Sequence, residues 1–132
     1  MTIPMPTTQR SEAMRAYGLP THYRLKHRAD FQRVFAGRQS ATDALLRVCG
    51  GTNDCAHPRL GLSVSRRLGN AVRRNRYKRL LREAFRLVRE QLPALDIVVI
   101  PQPGSEPDLE AYLASLVALA QRLERRLRRT PQ

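Results

Sequence analysis

The chain has 132 residues, which fits one ordinary domain and leaves no room for a second core. Hydrophobic residues make up 42% of it, but there is no Trp and only 5% are aromatic, so Leu, Val and Ala must fill most of the interior. Lys and Arg number 24 against 11 acids, a formal charge of +13; such self-repulsion is best tolerated against a polyanion, which puts nucleic acid first among partners. Arg greatly outnumbers Lys, as suits bidentate gripping of phosphate and stacking on bases.

Cys49 and Cys55 form neither a CxxC pair nor a zinc-like Cys/His set, so neither a structural disulfide nor bound zinc is expected. No apolar run approaches the roughly 20 residues that span a bilayer, and the N-terminus lacks the h-region of a signal peptide. The expectation is a cytoplasmic protein without membrane association.

Residues 1–20 contain Pro4, Pro6, Gly18 and Pro20 and few large apolar groups, and read as a disordered extension ahead of a domain over 21–130. After Leu25, a short helix is predicted over Arg28 to Ala36, with Phe31, Val34 and Phe35 on one face and Gly37 as its stop. Leu45, Leu46, Val48 and Cys49 predict a strand. The cluster Gly50, Gly51, Asn53 and Asp54 then reads as the turn of a hairpin leading to a second strand over Arg59 to Ser65. In that second strand Leu60, Leu62 and Val64 alternate with Gly61, Ser63 and Ser65, so one face is small enough for something to approach closely.

A long helix follows over 71–91, capped by Asn70 and limited by Pro93. The run from Asp96 to Ile100, β-branched at every position after the first, predicts an internal strand covered on both faces, ended by Pro101, Pro103 and Gly104. Pro107 opens a last helix whose Leu109, Leu113, Leu116, Val117, Ala120, Leu123 and Leu127 keep helical spacing. It finishes on Arg125, Arg126, Arg128 and Arg129, which suit a helix C-terminus. The order α-β-β-α-β-α implies a single α+β domain, a sheet of at least three strands with helices packed against it.

Between Arg66 and Arg89 stand ten basic residues and one acid, Glu83. At 100° per residue Tyr77, Leu81, Ala84, Phe85, Val88 and Leu92 gather on one side of the long helix. Asn75, Lys78, Arg79, Arg82, Arg86 and Arg89 gather on the other. A merely solvated face would interleave acids for i, i+4 pairing, whereas these like charges repel, so this face is expected to bind. Gly69 and Asn70 set the helix start beside Arg66 and Arg67, where unpaired amides, the dipole and guanidinium groups favour a phosphate.

The run Gly61-Leu62-Ser63-Val64-Ser65-Arg66-Arg67-Leu68-Gly69-Asn70-Ala71-Val72-Arg73-Arg74-Asn75-Arg76-Tyr77-Lys78-Arg79-Leu80-Leu81-Arg82-Glu83-Ala84-Phe85-Arg86 resembles the signature of the protein subunit of bacterial ribonuclease P, including its Arg-Asn-Arg box at Arg74, Asn75 and Arg76. The similarity extends from about Tyr23 to the final helix. The resemblance implies a ribosomal-protein-like fold with a left-handed β-α-β crossover, against the usual preference. It implies a heterodimer of one protein with one RNA that removes 5′ leaders from precursor tRNA, the ribonuclease P RNA subunit performing magnesium-dependent phosphodiester hydrolysis. The protein would then carry no catalytic residue, metal or cofactor of its own.

Carried over residue by residue, Arg66, Arg67, Asn70, Arg73, Arg74, Asn75, Arg76, Lys78, Arg79, Arg82 and Arg86 would dock on the catalytic RNA. A separate cleft between the first helix and the sheet would hold the single-stranded leader. Leu25-Lys26-His27-Arg28-Ala29-Asp30-Phe31-Gln32-Arg33-Val34-Phe35 also resembles the family's start, where an aromatic pair lies beside the leader. Phe31 and Phe35 are the candidates, either as stacking surfaces or as core, with Lys26, Arg28 and Arg33 meeting leader phosphates. Ala44 and Arg47 depart from the family, standing where aromatic or bulky residues are expected.

Other functions fit less well. A self-sufficient metal nuclease needs clustered carboxylates, yet Asp30, Asp43, Asp54, Glu83 and Asp96 are scattered, and His22, His27 and His57 read as isolated surface or capping residues. A helix-turn-helix protein needs a helix where Leu60 to Val64 reads as strand. A membrane-active helix is disfavoured because the apolar face has a sheet to cover. A ribosomal-type RNA-binding module shares the charge and layout, and differs in that it would bind many RNAs about equally.

Overall fold

The computed structural model describes residues 19–104 and 106–129; the side chains at 128 and 129 lie outside it, as does nearly all of the expected extension before residue 21. Leu19 is within the description and is only 2% exposed, so the packed chain begins ahead of the boundary read from composition.

Among the described residues three helices, α1 (Arg28–Ala36), α2 (Ala71–Val88) and α3 (Leu109–Arg129), accompany four strands, β1 (Ser40–Thr42), β2 (Leu46–Thr52), β3 (Arg59–Leu62) and β4 (Leu95–Pro101). The strands form one sheet in the order β1-β2-β4-β3. β2 is antiparallel to β1 and β4, and β3 is parallel to β4. The expected hairpin is therefore absent: β4 lies between β2 and β3, joined to β3 through α2 as a parallel β-α-β unit. Local turn residues could not reveal this, because Gly50 and Gly51 are paired strand residues of β2, opposite Ile97 and Asp96. The short β1 is an element the sequence pattern did not show.

The two-residue alternation of the strands divides the interior. Leu46, Val48, Leu60, Ile97 and Val99 face α2 and α3 in the main core, with Tyr77, Leu81, Phe85, Leu116, Leu119 and Leu123. Cys49 and Val98 face the opposite side, where Val34 of α1, Leu25, Phe31 and Ile100 complete a smaller cluster. β4 is buried along almost its whole length because both faces are covered. At Gly50 a Cβ would lie 3.0 Å from Leu123, so the missing side chain lets α3 settle directly on β2.

On α3 the buried centre is Tyr112, Leu116, Leu119, Ala120 and Leu123, while Leu109, Leu113, Val117 and Leu127 are only half-buried. The apolar stripe is wider than the contact it makes, and its centre is set by the α2 and β2 surfaces beneath it. Asp43 ties the β1–β2 turn to α3. Its carboxylate accepts the Leu45 and Leu46 N–H groups, both at 2.8 Å, and the Ser115 hydroxyl at 2.8 Å. At the end of α1 the predicted stop Gly37 is right-handed (φ −69°), and Arg38 takes the left-handed position at φ 54°, a conformation costing a side-chain-bearing residue about 1 kcal/mol or more.

Candidate nucleic-acid interface

α2 divides as its helical spacing predicts. Tyr77, Leu81, Ala84, Phe85 and Val88 are buried, and Leu92 is buried just beyond a 3-10 turn at Arg89–Gln91. On the other side Asn75, Arg76 and Arg79 are exposed and Lys78, Arg82 and Arg86 half-buried. The helix starts from a second 3-10 turn, Arg66–Leu68, whose Leu68 is buried while Arg66 and Arg67 stand in solvent. Gly69 connects the two at φ 125°, a backbone few side chains tolerate, and a Cβ there would lie 2.7 Å from Arg73 Cδ. The Asn70 side chain accepts the Arg73 N–H at 3.0 Å, the cap expected of it. Arg66, Arg67 and the first turn of α2 thus share one end of a continuous basic face.

Few acids interrupt that face. Arg73 donates to Glu106 at 2.9 Å, holding the Glu106 carboxyl below its usual value, and Arg86 donates to Glu83 at 2.7 Å. Glu106 is 77% exposed, so its pair is worth little and an incoming phosphate can replace it. Arg74 is half-buried, and its Nε is shielded without a hydrogen-bond partner among the described residues.

The residues near α1 separate into different settings. Lys26 and Arg28 are exposed, and Phe35 is 41% exposed on a helix whose Val34 is buried. Phe31 is half-buried against Gly61, where an added Cβ would come within 2.8 Å of its ring. The small face of β3 is thus filled by Phe31 itself. The Arg33 guanidinium is engaged within the protein: it donates to the Thr52 carbonyl at 2.9 Å and to the carboxylate of Asp96. Asp96 is fully buried and also accepts from Arg59 Nε and Nη2, both at 2.7 Å, and from Asn53 at 2.9 Å. Burial alone would push this carboxyl up, but the hydrogen bonds from Arg59, Asn53 and Arg33 prevail and hold it below the usual carboxylate range.

Arg47 is exposed, and by strand alternation it lies on the α1 side of β2 opposite Ile100, while Ala44 sits in the preceding turn and forms no wall. Cys49 and Cys55 are free thiols; burial pushes Cys49 up, with Arg47 opposing. His22 and His57 are not isolated as expected. Their rings lie 4.3 Å and 4.6 Å from that of Tyr23, which Arg89 covers at 4.6 Å. Among the described residues no three of His, Cys, Asp and Glu converge as a metal site requires, and no helix is long and apolar enough to cross a membrane.

The basic helix and the sheet that carries it have counterparts. A family model for Ribonuclease P matches residues 19–124, which includes every element from α1 into α3. The chain belongs to the ribonuclease P protein family. The ribonuclease P protein component of Methylococcus capsulatus is 45% identical over 102 residues, covering 76% of this chain and 80% of that one. That of Staphylococcus epidermidis is 41% identical over 96 residues, covering 71% and 84%. The solved ribonuclease P protein from Thermotoga maritima superimposes with a TM-score of 0.67 at 34% identity, covering 75% of this chain and 96% of that one. Family and relatives together give this chain the role of a ribonuclease P protein component.

The structure also brings together residues that the sequence pattern passed over. Arg24 pairs with Leu60 at the sheet edge and, with Lys78, Arg82 and Phe31, lines a cavity between α1 and α2. Lys78 and Arg82, grouped with the catalytic RNA, therefore meet Phe31, grouped with the leader. The pairing that brings Arg24 there is long-range, and no local spacing signals it.

Proposed function

We propose that this chain docks on the ribonuclease P RNA subunit through the basic face of α2 and the turn at 66–70. It holds the single-stranded 5′ leader of precursor tRNA on the α1 side, as one protein with one RNA. Leader hydrolysis, with its magnesium ions, belongs to the RNA subunit; the protein supplies binding and positioning. One observation carries the reading: α2 buries its apolar side while its opposite side presents Arg76, Lys78, Arg79 and Arg82 without a carboxylate partner among the described residues, a charge arrangement that phosphates relieve. The exposed Phe35 ring, on the helix that Lys26 and Arg28 lead into as exposed cations, offers an unpaired base a surface that makes no sequence demand.

The test is cleavage of a precursor tRNA at low magnesium by a bacterial ribonuclease P RNA, with and without the protein. Strong stimulation with both present, and no cleavage by protein alone, is the expected result. Tight RNA binding without stimulation would overturn the proposal in favour of a general RNA-binding module.

A further inference from the structure

β4 covers one edge of β3. Along the other edge runs the segment from Leu19 to Leu25, joined to it where the Leu25 N–H donates to the Leu60 carbonyl at 2.9 Å and Arg24 bridges Leu60. Between this segment, α1 and α2 lies a cavity of about 160 Å³. Leu25, Phe31 and Leu62 form its apolar wall, and Arg24, Lys78 and Arg82 form its polar one, with no carboxylate among the described residues of the lining.

Elsewhere in the protein Arg33 and Arg59 share Asp96, and Arg86 has Glu83, whereas the half-buried Arg74 resembles Arg24 in having a shielded Nε without a hydrogen-bond partner among the described residues. Arg24 Nε is shielded from solvent and has no hydrogen-bond partner among the described residues, a costly state for a charged donor. Burial, together with the neighbouring Arg24 charge, holds Arg82 below its ordinary value. Three cations around one small cavity repel one another, and an anion between them removes both the repulsion and the unmet donor.

We propose that this cavity is a phosphodiester-binding niche, with Arg24, Lys78 and Arg82 gripping the anionic oxygens and the Phe31 edge bordering the adjoining sugar. The proposal rests on the RNA-binding reading above and extends it to a residue, Arg24, outside both groups of contacts. A liquid water occupies about 30 Å³, so the volume suits a phosphate and its bridging oxygens while the base stays outside. The niche therefore recognises backbone, whichever RNA supplies it. Gly61 keeps it in shape by leaving room for the Phe31 ring against β3.

The test uses the full chain. Inorganic phosphate is titrated while the arginine Nε–H resonances are followed by NMR. Affinity is then measured separately for a single-stranded leader oligonucleotide and for a bacterial ribonuclease P RNA. Arg24 and Arg82 resonances should move together and saturate, with exposed Arg76 unmoved. Arg24→Gln should abolish the saturable response at Arg82, and Arg82→Gln, the check should the first variant fold poorly, should abolish it at Arg24. Arg24→Gln should also weaken binding about tenfold for the RNA that supplies the phosphodiester. Its log–log salt slope should fall by about one unit. Loss for the leader alone, or for the ribonuclease P RNA alone, identifies the source and supports the niche. Unsaturable shifts, or wild-type affinity of the variant for both RNAs, would overturn it. If the wild-type chain binds neither RNA yet the phosphate titration saturates, the RNA-binding reading fails and the anion site stands.

Discussion

Removing the Asp96 carboxylate tests how the sheet, α1 and the cationic surface are held together. The group is fully buried, and three side chains from three segments converge on it: Arg33 from α1, Arg59 from β3 and Asn53 from the β2–β3 connection. Deleting one partner of a buried ion pair costs about 3–5 kcal/mol, because the remaining charge is left uncompensated. Here the Arg33 side chain is 45% exposed and that of Arg59 23% exposed, so both can recover some hydration and the lower end, about 3 kcal/mol, is expected for Asp96→Ala. For a domain of this size 1 kcal/mol corresponds to roughly 4 °C, so the midpoint of thermal unfolding, followed by circular dichroism, should fall by about 12 °C. The folded-state carboxyl titrates below its unfolded value, so its contribution is complete above the ordinary carboxylate range and disappears as pH falls through the lowered folded value. The gap between wild type and Asp96→Asn should accordingly be constant near neutrality and narrow on acidification. A loss under about 1 kcal/mol, the value of an exposed pair, or a gap that widens in acid, would refute the buried-network account.

Three further outcomes follow from the same geometry. Arg79→Ala, at an exposed α2 position, should leave the unfolding midpoint unchanged and weaken RNA binding with a salt slope lower by about one; an unchanged slope removes Arg79 from the interface. Phe35→Ala should alter stability by less than about 1 kcal/mol, its ring being 41% exposed, while costing about 1–3 kcal/mol in affinity for leader-bearing precursor and nothing for mature tRNA; a large stability loss would instead mark the ring as core. Gly61→Ala should destabilise by about 1–3 kcal/mol in urea titrations because its Cβ meets the Phe31 ring at 2.8 Å, and Phe31→Leu should recover part of that loss in the double variant.

Much of the site is local in origin and so could be read directly. The buried and basic sides of α2 follow from 3.6-residue spacing, the Asn70 cap from its position before that spacing begins, and α1 from the interval between Phe31, Val34 and Phe35. The expected hairpin failed because glycine, asparagine and aspartate mark a turn only when the flanking strands pair. Here the partner of β2 arrives from beyond α2. Arg33 resembles its exposed neighbours in sequence, and only its contact with Asp96, far along the chain, distinguishes it.

Local sequence accounts for the three helices, for strands β2, β3 and β4, for the apolar side of α2, for the excess of positive charge and for the family signature, because each depends on residues within a few turns of one another. Tertiary structure alone decided the strand order, the burial of Asp96 among its arginines and the meeting of Arg24 with Lys78, Arg82 and Phe31. These depend on contacts between distant segments, whose choice is made by packing the whole core and not by any local pattern.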